Sequence, residues 1–491
     1  MRIIVGSKIQ VNITSLTQEI LNLIKSDLMF ENPEYDYHMR SGNTVAMQYV
    51  PQYIHGFQIK DTVIYLPRAY LTTLVYYLRK EQISYRVVFT HNTHKTKYFE
   101  DAGHIDLWDY QRDALDAMSS HRDGVLVMPC GSGKTITLLE TIKKLGQWTL
   151  VLVHTNDLLR QWKEYATNIL HKECGIIQGD TVDIKPLTIG MVQTLSKRTL
   201  TNRFKRIWGC VVCDEAHHSP AYTFSQLLNE LPAKYRYGAT ATVNRSDRLE
   251  GLLFSICGFP RYKIGLDELE RLGYIIKPRI ICVETNYFGH RGLQNYAKVL
   301  NHLTRNKDRL SLILECLLGQ REHYNLVLSN RIEHLELMYN MYREIDSRCA
   351  LLVGKVKDVN RKQIIDDMRV GNIHTIFAST LADEGLDIPI LDRLYLTVST
   401  KALGKVEQRI GRIQRVYPGK TDAIVYDFVD SYIPMFDRHF RERLRLYDAI
   451  GVEVGGTQYE ARRASYQVVR SRSKTKKAYS FKEKVARFSN R

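Results

Sequence analysis

Three short clusters in this chain have residue types and spacings suited to chemistry on a nucleotide. The first is Met128-Pro-Cys-Gly-Ser-Gly-Lys-Thr135. Glycines let a backbone approach a phosphate closely, and free N–H groups at a helix start stabilise its charge. Gly131, Ser132 and Gly133 form that cradle, Lys134 is expected to contact the β and γ phosphates, and the Thr135 hydroxyl to bind magnesium. The strict phosphate-loop spacing fails at its first glycine, which here is Met128. The second cluster, Asp214-Glu-Ala-His217, closes the apolar run Cys210-Val-Val-Cys213. An acid at a strand end can hold magnesium while its neighbour polarises water, so Asp214 is assigned to the metal and Glu215 to the general base. The third cluster is Gln408-Arg-Ile-Gly-Arg-Ile-Gln-Arg415. A guanidinium beside a leaving γ-phosphoryl is worth roughly 10³–10⁵ in rate. Arg415 is the first choice for that role and Arg412 the second; three apart on an expected helix, they share one face. Arg409 is expected to be structural or bound to an acid.

Such residues need strands that end together and helices that begin there. Residues 124–128, 149–154, 187–191 and 209–213 are short apolar strand candidates, with helical stretches at 135–145 and 157–168 between them. That alternation predicts a parallel sheet covered by helices on both faces. It restarts near residue 280, with strands expected at 325–329, 350–353, 375–378, 393–398 and 422–428. Residues 266–278 are the expected linker. With no long Gly/Ser or Pro-rich spacer, the two α/β units are expected to pack with a cleft between them. Residues 1–95 predict a small mixed domain rich in tyrosine, with strands at 2–5, 62–66 and 85–89 and helices at 14–29 and 69–82. It carries no catalytic motif and is a candidate DNA-binding module. The expected division is therefore 1–95, 96–270, 271–455 and a tail from 456 to 491.

Length and composition agree with several soluble domains: 491 residues, 44% hydrophobic and 25% charged. No apolar run is long enough to span a bilayer, and the start has too short an apolar core for a signal peptide, so a cytosolic location is expected. Cys210 and Cys213 point to opposite faces of a strand, which argues against a shared metal. His91-Asn-Thr-His94 lacks partners with ligand spacing and is expected to be a loop. The net charge of +17 suggests a polyanionic partner. Residues 461–491 hold eleven Lys or Arg and a single acid, interleaved with Tyr466, Tyr479, Phe481 and Phe488. That composition suits an arm that tracks phosphates with rings able to stack, although a merely solvated tail has the same look.

Taken in order, the motifs from residue 107 to 415 resemble those of a superfamily 2 helicase. Leu107-Trp-Asp-Tyr-Gln111 resembles the segment whose glutamine reads adenine, which implies Gln111 for base recognition. Val153-His-Thr-Asn-Asp-Leu-Leu-Arg-Gln-Trp162 resembles motif Ia, Gly190-Met-Val-Gln-Thr194 the Ib region and Gly238-Ala-Thr-Ala-Thr242 motif III. Ala378-Ser-Thr-Leu-Ala-Asp-Glu-Gly-Leu-Asp-Ile-Pro389 resembles motif V and the arginine block motif VI. The resemblance implies an α/β fold of two tandem RecA-like motor domains with a small α+β N-terminal domain and a basic C-terminal tail. It also implies ATP and Mg2+, Gly385 and Asp387 at the nucleotide, and His217 as a link to motif III. Thr155, Thr194 and Thr380 match positions that touch the phosphate backbone, though threonine is equally an ordinary strand or cap residue.

Within the superfamily, Pro129-Cys-Gly-Ser-Gly-Lys-Thr135 and Val212-Cys-Asp-Glu-Ala-His-His218 look closest to the XPB group. The layout is also similar to the UvsW-type phage recombination helicases. What these imply is an ATP-driven helicase or translocase on duplex or branched DNA, unwinding or branch-migrating strands in recombination, repair or replication. Phosphate contacts position a strand without reading it, so little base specificity is expected. One chain suffices for the ATP site, and a phage origin implies the host cytoplasm. An RNA helicase is the second enzyme reading, and an ATP-gated clamp on duplex the reading from another class. A P-loop kinase explains neither the second α/β unit nor the arginine block.

Overall fold

Thr149–Val153, Leu187–Met191 and Cys210–Cys213 are apolar or nearly so and buried at every position. Strands covered on both faces need no polar alternate, and these lie in a parallel sheet. The computed structural model describes residues 1–41, 47–214, 221–241, 250–289, 295–353, 358–379, 388–400 and 403–456. They fall into two units, the change coming between Lys263 and Ile264, except that Pro129–Ser132 group with the second. The eight-stranded sheet of the first unit runs Thr181–Val182, Gly175–Gln178, Leu187–Met191, Thr149–Val153, Cys210–Cys213, Tyr235–Thr240, Asp123–Val127 and Pro260–Lys263. Only the edge strand Thr181–Val182 is antiparallel to its neighbour. Cys210 and Cys213 are both buried, and burial raises both thiols; Cys213 faces Cys257 and Cys210 faces Thr149, as opposite faces require. The segment from His91 to His94 is a loop with a bridge from Asn92 to Ala233.

The first ninety residues form their own five-stranded sheet, ordered Gln58–Lys60, Val63–Pro67, Lys8–Asn12, Arg2–Val5, Arg86–Phe89. Its core packs Ile3, Val5, Ile9 and Val11 against Ile20, Ile24, Leu74 and Leu78 of the helices Gln18–Asp27 and Leu71–Lys80. Arg68 ties this small domain to the large sheet. Its guanidinium donates to the Asp123 carboxylate and to the carbonyls of Ala233 and Lys234. Buried Arg236 adds a reciprocal tie, donating to Ser7 O at 3.2 Å.

The second unit holds seven parallel strands, ordered Cys349–Leu352, Thr375–Ser379, Asn325–Ser329, Arg393–Leu396, Ile424–Val429, Arg279–Glu284 and Glu453–Gly455. The stretch expected as a linker, residues 266–278, begins as a helix, Leu266–Arg271. Leu266 and Leu269 are one turn apart and both buried, and Asp267 and Glu268 suit the helix start. No helix among the described residues is long and apolar enough to cross a membrane.

Two buried ion pairs brace this second sheet. Arg309 meets Asp430 at 2.9 Å, and Arg443 meets Asp427 at 2.8 Å. Tyr447 and Ser399 complete the latter group, the hydroxyl of Tyr447 donating to Asp427 and Arg443 donating to Ser399 Oγ. Removing one partner strands the other charge in the interior. Arg443→Met should therefore cost roughly 3–5 kcal/mol, visible as a lower urea midpoint for the second unit. Pairing it with Asp427→Leu should recover most of the loss; a single variant as stable as the parent would contradict the account.

Candidate active site

The phosphate loop joins Asp123–Val127 to the helix Lys134–Leu145. Met128 N donates to Thr240 O at 3.1 Å, which extends the sheet into the loop. Gly131 and Gly133 have φ of 81° and 80°, the left-handed region that favours glycine. Gly133 is required for space as well, since a Cβ there would lie 2.4 Å from Gln111 Nε2. Ser132 is buried and donates through Oγ to Pro129 O at 2.6 Å. Lys134 is buried with its ammonium turned back on the loop, 3.1 Å from Met128 O. Thr135 follows in the first helical turn, half-buried.

Gln111 lies on the helix Asp109–Ser119 and is buried against this loop. Its Oε1 accepts from Trp108 N at 3.1 Å, so the glutamine expected to read a base also fixes the start of its own helix.

Asp214 follows Cys210–Cys213, which is separated from Asp123–Val127 by the single strand Tyr235–Thr240. Parallel pairing brings Asp214 and the phosphate loop to the same carboxyl edge. Asp214 is 2% exposed, and its Oδ2 accepts from Trp162 Nε1 at 2.7 Å. A hydrogen bond to a charged group of this kind is worth about 1.5–3 kcal/mol. Trp162 is the functional candidate that sequence reasoning missed. It sits on the buried stripe Leu158, Leu159, Trp162, Ala166 of the helix Asn156–Asn168. A buried indole needs an acceptor, and that was the available signal.

Two of the threonines expected at a nucleic-acid backbone have local work. Thr155 Oγ1 caps its helix by accepting from Leu158 N at 3.2 Å, and Thr194 Oγ1 accepts from Gly179 N at 3.1 Å. Glu215, His217, Thr380, Gly385 and Asp387 lie outside the described residues, as does the basic segment 461–491.

In the second unit the arginine block needs one correction. Arg412 ends the helix Leu403–Arg412, and Arg415 lies beyond it in an antiparallel bridge with Ile275, so the two do not share a helical face. Just past the helix Ile413 and Gln414 are buried, and Gln414 O accepts from Ile276 N at 2.7 Å. Arg409 is buried, while Arg412 and Arg415 are half-buried.

Comparison with known proteins supplies the family. The family described as type III restriction enzyme, res subunit, matches residues 104–245, and the helicase conserved C-terminal domain matches residues 308–417. The chain belongs to helicase superfamily 2. Both large sheets are the RecA-like domains of that superfamily. This superfamily 2 chain is 28% identical over 344 residues to the DNA 3'-5' helicase XPB of Mycobacterium tuberculosis, covering 66% of the chain and 60% of the relative. It spans between 51% and 60% of the length of four such curated relatives. The DUF1998 helicase MrfA bound to DNA and AMPPNP shares the fold, with a TM-score of 0.50, 14% identity and coverage of 75% and 55%. T4 UvsW aligns over 93% of this chain and 99% of its own, with 16% identity and a TM-score of 0.42.

Trp162→Phe keeps a ring and removes the N–H that holds Asp214. The Mg2+ needed for half-maximal nucleotide binding should rise about 10–100-fold, measured by titrating Mg2+ against a fluorescent ADP. An unshifted titration would leave Trp162 as packing alone.

Proposed function

We propose that this chain is an ATP-driven helicase or translocase that unwinds or branch-migrates duplex or branched DNA, largely without regard to sequence. The observation that carries the reading is the pairing of the phosphate loop with buried Asp214, one strand apart at the same carboxyl edge. The superfamily itself implies ATP, usually with magnesium. The XPB and Rad25 relatives named as DNA helicases support DNA over RNA.

In this reading Gly131, Ser132 and Gly133 cradle the phosphates, Lys134 contacts the β and γ groups, and Gln111 borders the base. The Thr135 hydroxyl and the Asp214 carboxylate are hard oxygen donors, a set that fits magnesium. The metal supplies charge neutralisation at the phosphates. Glu215 orients the attacking water, and Arg415, with Arg412 as the second candidate, places a guanidinium where charge develops. Gly385 and Asp387 also border the nucleotide. Thr155, Thr194 and Thr380 touch backbone phosphates, which position the strand. One chain completes the site. The proposed division is 1–95 as an accessory DNA-binding domain, 96–270 and 271–455 as the motor domains, and 456–491 as a phosphate-tracking tail. Removing residues 461–491 should lower the log–log salt slope of DNA binding by roughly 0.9 per lost phosphate contact; an unaltered slope makes the tail a bystander.

The deciding experiment is ATP hydrolysis with no nucleic acid, single-stranded DNA, duplex, a fork, a four-way junction and RNA, beside Lys134→Ala. Stimulation by branched DNA that disappears in the variant is the expected result. Stimulation by RNA alone would move the chain to the RNA helicases. No stimulation by any of them would favour an ATP-gated clamp.

A further inference from the structure

Beyond the arginine block the chain makes a tight turn, Tyr417-Pro-Gly-Lys420, closed by Lys420 N donating to Tyr417 O at 3.0 Å. Pro418 and Gly419 occupy the central positions, and Gly419 has φ of 82°, as a type II turn requires. The turn sends the Lys420 side chain back under the segment it follows. There its ammonium lies 2.7 Å from Ile413 O and 2.9 Å from Arg415 O, and 2.6 Å from Leu391 O and 3.3 Å from Pro389 O.

Two features make this more than a surface contact. The carbonyls past a helix end have no intrahelical partner, and Ile413 follows directly on Arg412, the last helical residue. One cation also joins two segments that are far apart in sequence. The Pro389–Leu391 side leads straight into the strand Arg393–Leu396, and the other side carries Arg415. Burial, with Arg415 and Arg393 nearby, draws the Lys420 pKa down to about 8, while Asp392 and Asp422 oppose that pull. Lys420 is therefore a cation at neutral pH.

We propose that Lys420 is the positioning residue of the arginine finger: by gathering the carbonyls on either side of Gln414 and clamping them to the entrance of the strand Arg393–Leu396, it fixes where the Arg415 guanidinium stands. This role rests on the reading of Arg415 as the residue that meets the γ-phosphoryl. Lys420 itself touches no reacting atom. Its contribution is the placement of another side chain, and an ångström of misplacement can cost on the order of 10²-fold in rate.

The test compares the full chain with Lys420→Met, Arg415→Ala and the double variant, measuring DNA-stimulated ATP turnover and amide hydrogen exchange without nucleotide. Lys420→Met should lower kcat by about 10–100-fold, leave the KM for ATP within about twofold, and quicken exchange at Ile276, whose N–H is held by Gln414 O. The double variant should be no slower than Arg415→Ala alone, because both changes remove one function. Gly419→Ala keeps the lysine and strains only the turn; open space surrounds the added methyl. It should give a smaller loss of kcat in the same direction, and it serves if Lys420→Met does not fold. Unchanged kcat in both single-site variants of the turn, unchanged exchange at Ile276, or a double variant slower by the product of the two effects would each overturn the proposal. Full turnover in Arg415→Ala would overturn the finger reading beneath it, and that variant reports this independently of Lys420.

Discussion

Parallel hydrogen bonding is the constraint on which the rest of the structure depends. Strands paired this way must each be returned by a crossover, so their carboxyl ends share one edge. In the first unit the register makes this literal. Val127 stands beside Thr240, Cys213 beside both Gly238 and Leu152, and Val153 beside Met191. The phosphate loop, Asp214 and the cap Thr155 therefore leave the sheet within a residue or two of the same level. No contact among them is needed to bring this about. The apolar character of the strands is the only sequence requirement, and it leaves the loops free to carry polar chemistry.

Interior cations here are held by carboxylates, by carbonyls, or by both. Arg309 and Arg443 face carboxylates in the second sheet, and their pairs are electrically closed. Arg236 and Lys420 are held by carbonyls instead, Arg236 by those of Leu228, Leu231, Ile256 and Ser7. Burial lowers Arg236 to about 10, which still leaves it charged at neutral pH. Carbonyl dipoles can fasten a cation without a counter-charge, and they belong to the backbone, so such a cation fixes the path of the chain itself. Lys134 also rests on a carbonyl, Met128 O. A phosphate oxygen is the stronger acceptor, so that contact holds the ammonium at the loop without competing well against a nucleotide.

Strands with strong apolar runs were legible in the sequence to within a residue or two: 187–191 and 325–329 match Leu187–Met191 and Asn325–Ser329, and 393–398 is Arg393–Leu396. Tyr235–Thr240 is not legible, because its Arg236 reads as solvent-facing until the carbonyls that surround it are known. Lys8–Asn12 hides for a related reason, its alternation of Lys, Gln and Asn with Ile and Val being too short to stand out. The phosphate loop was legible because glycine at positive φ is a local requirement. The end of the arginine helix was not, since it depends on a backbone bond from Ile276, some 140 residues earlier in the chain. Residue type alone does not separate a backbone-phosphate contact from a cap: Thr155 and Thr194 also accept from Leu158 N and Gly179 N.

The bond from Trp162 to Asp214 has the same long-range character and a mechanical consequence. Thr155 caps the N-terminus of the helix Asn156–Asn168, and Trp162 lies seven residues on, about 10 Å at 1.5 Å per residue. A helix of this length moves as one body, because its side chains are locked in a core packed like a crystal. Any force applied at the capped end is therefore transmitted to the indole, and from the indole to a carboxylate that has almost no exposure to water. The acid is buried, and its own backbone N–H is tied to Leu152 O. One helix thus joins a threonine-capped end to the indole that holds Asp214, all within the first unit.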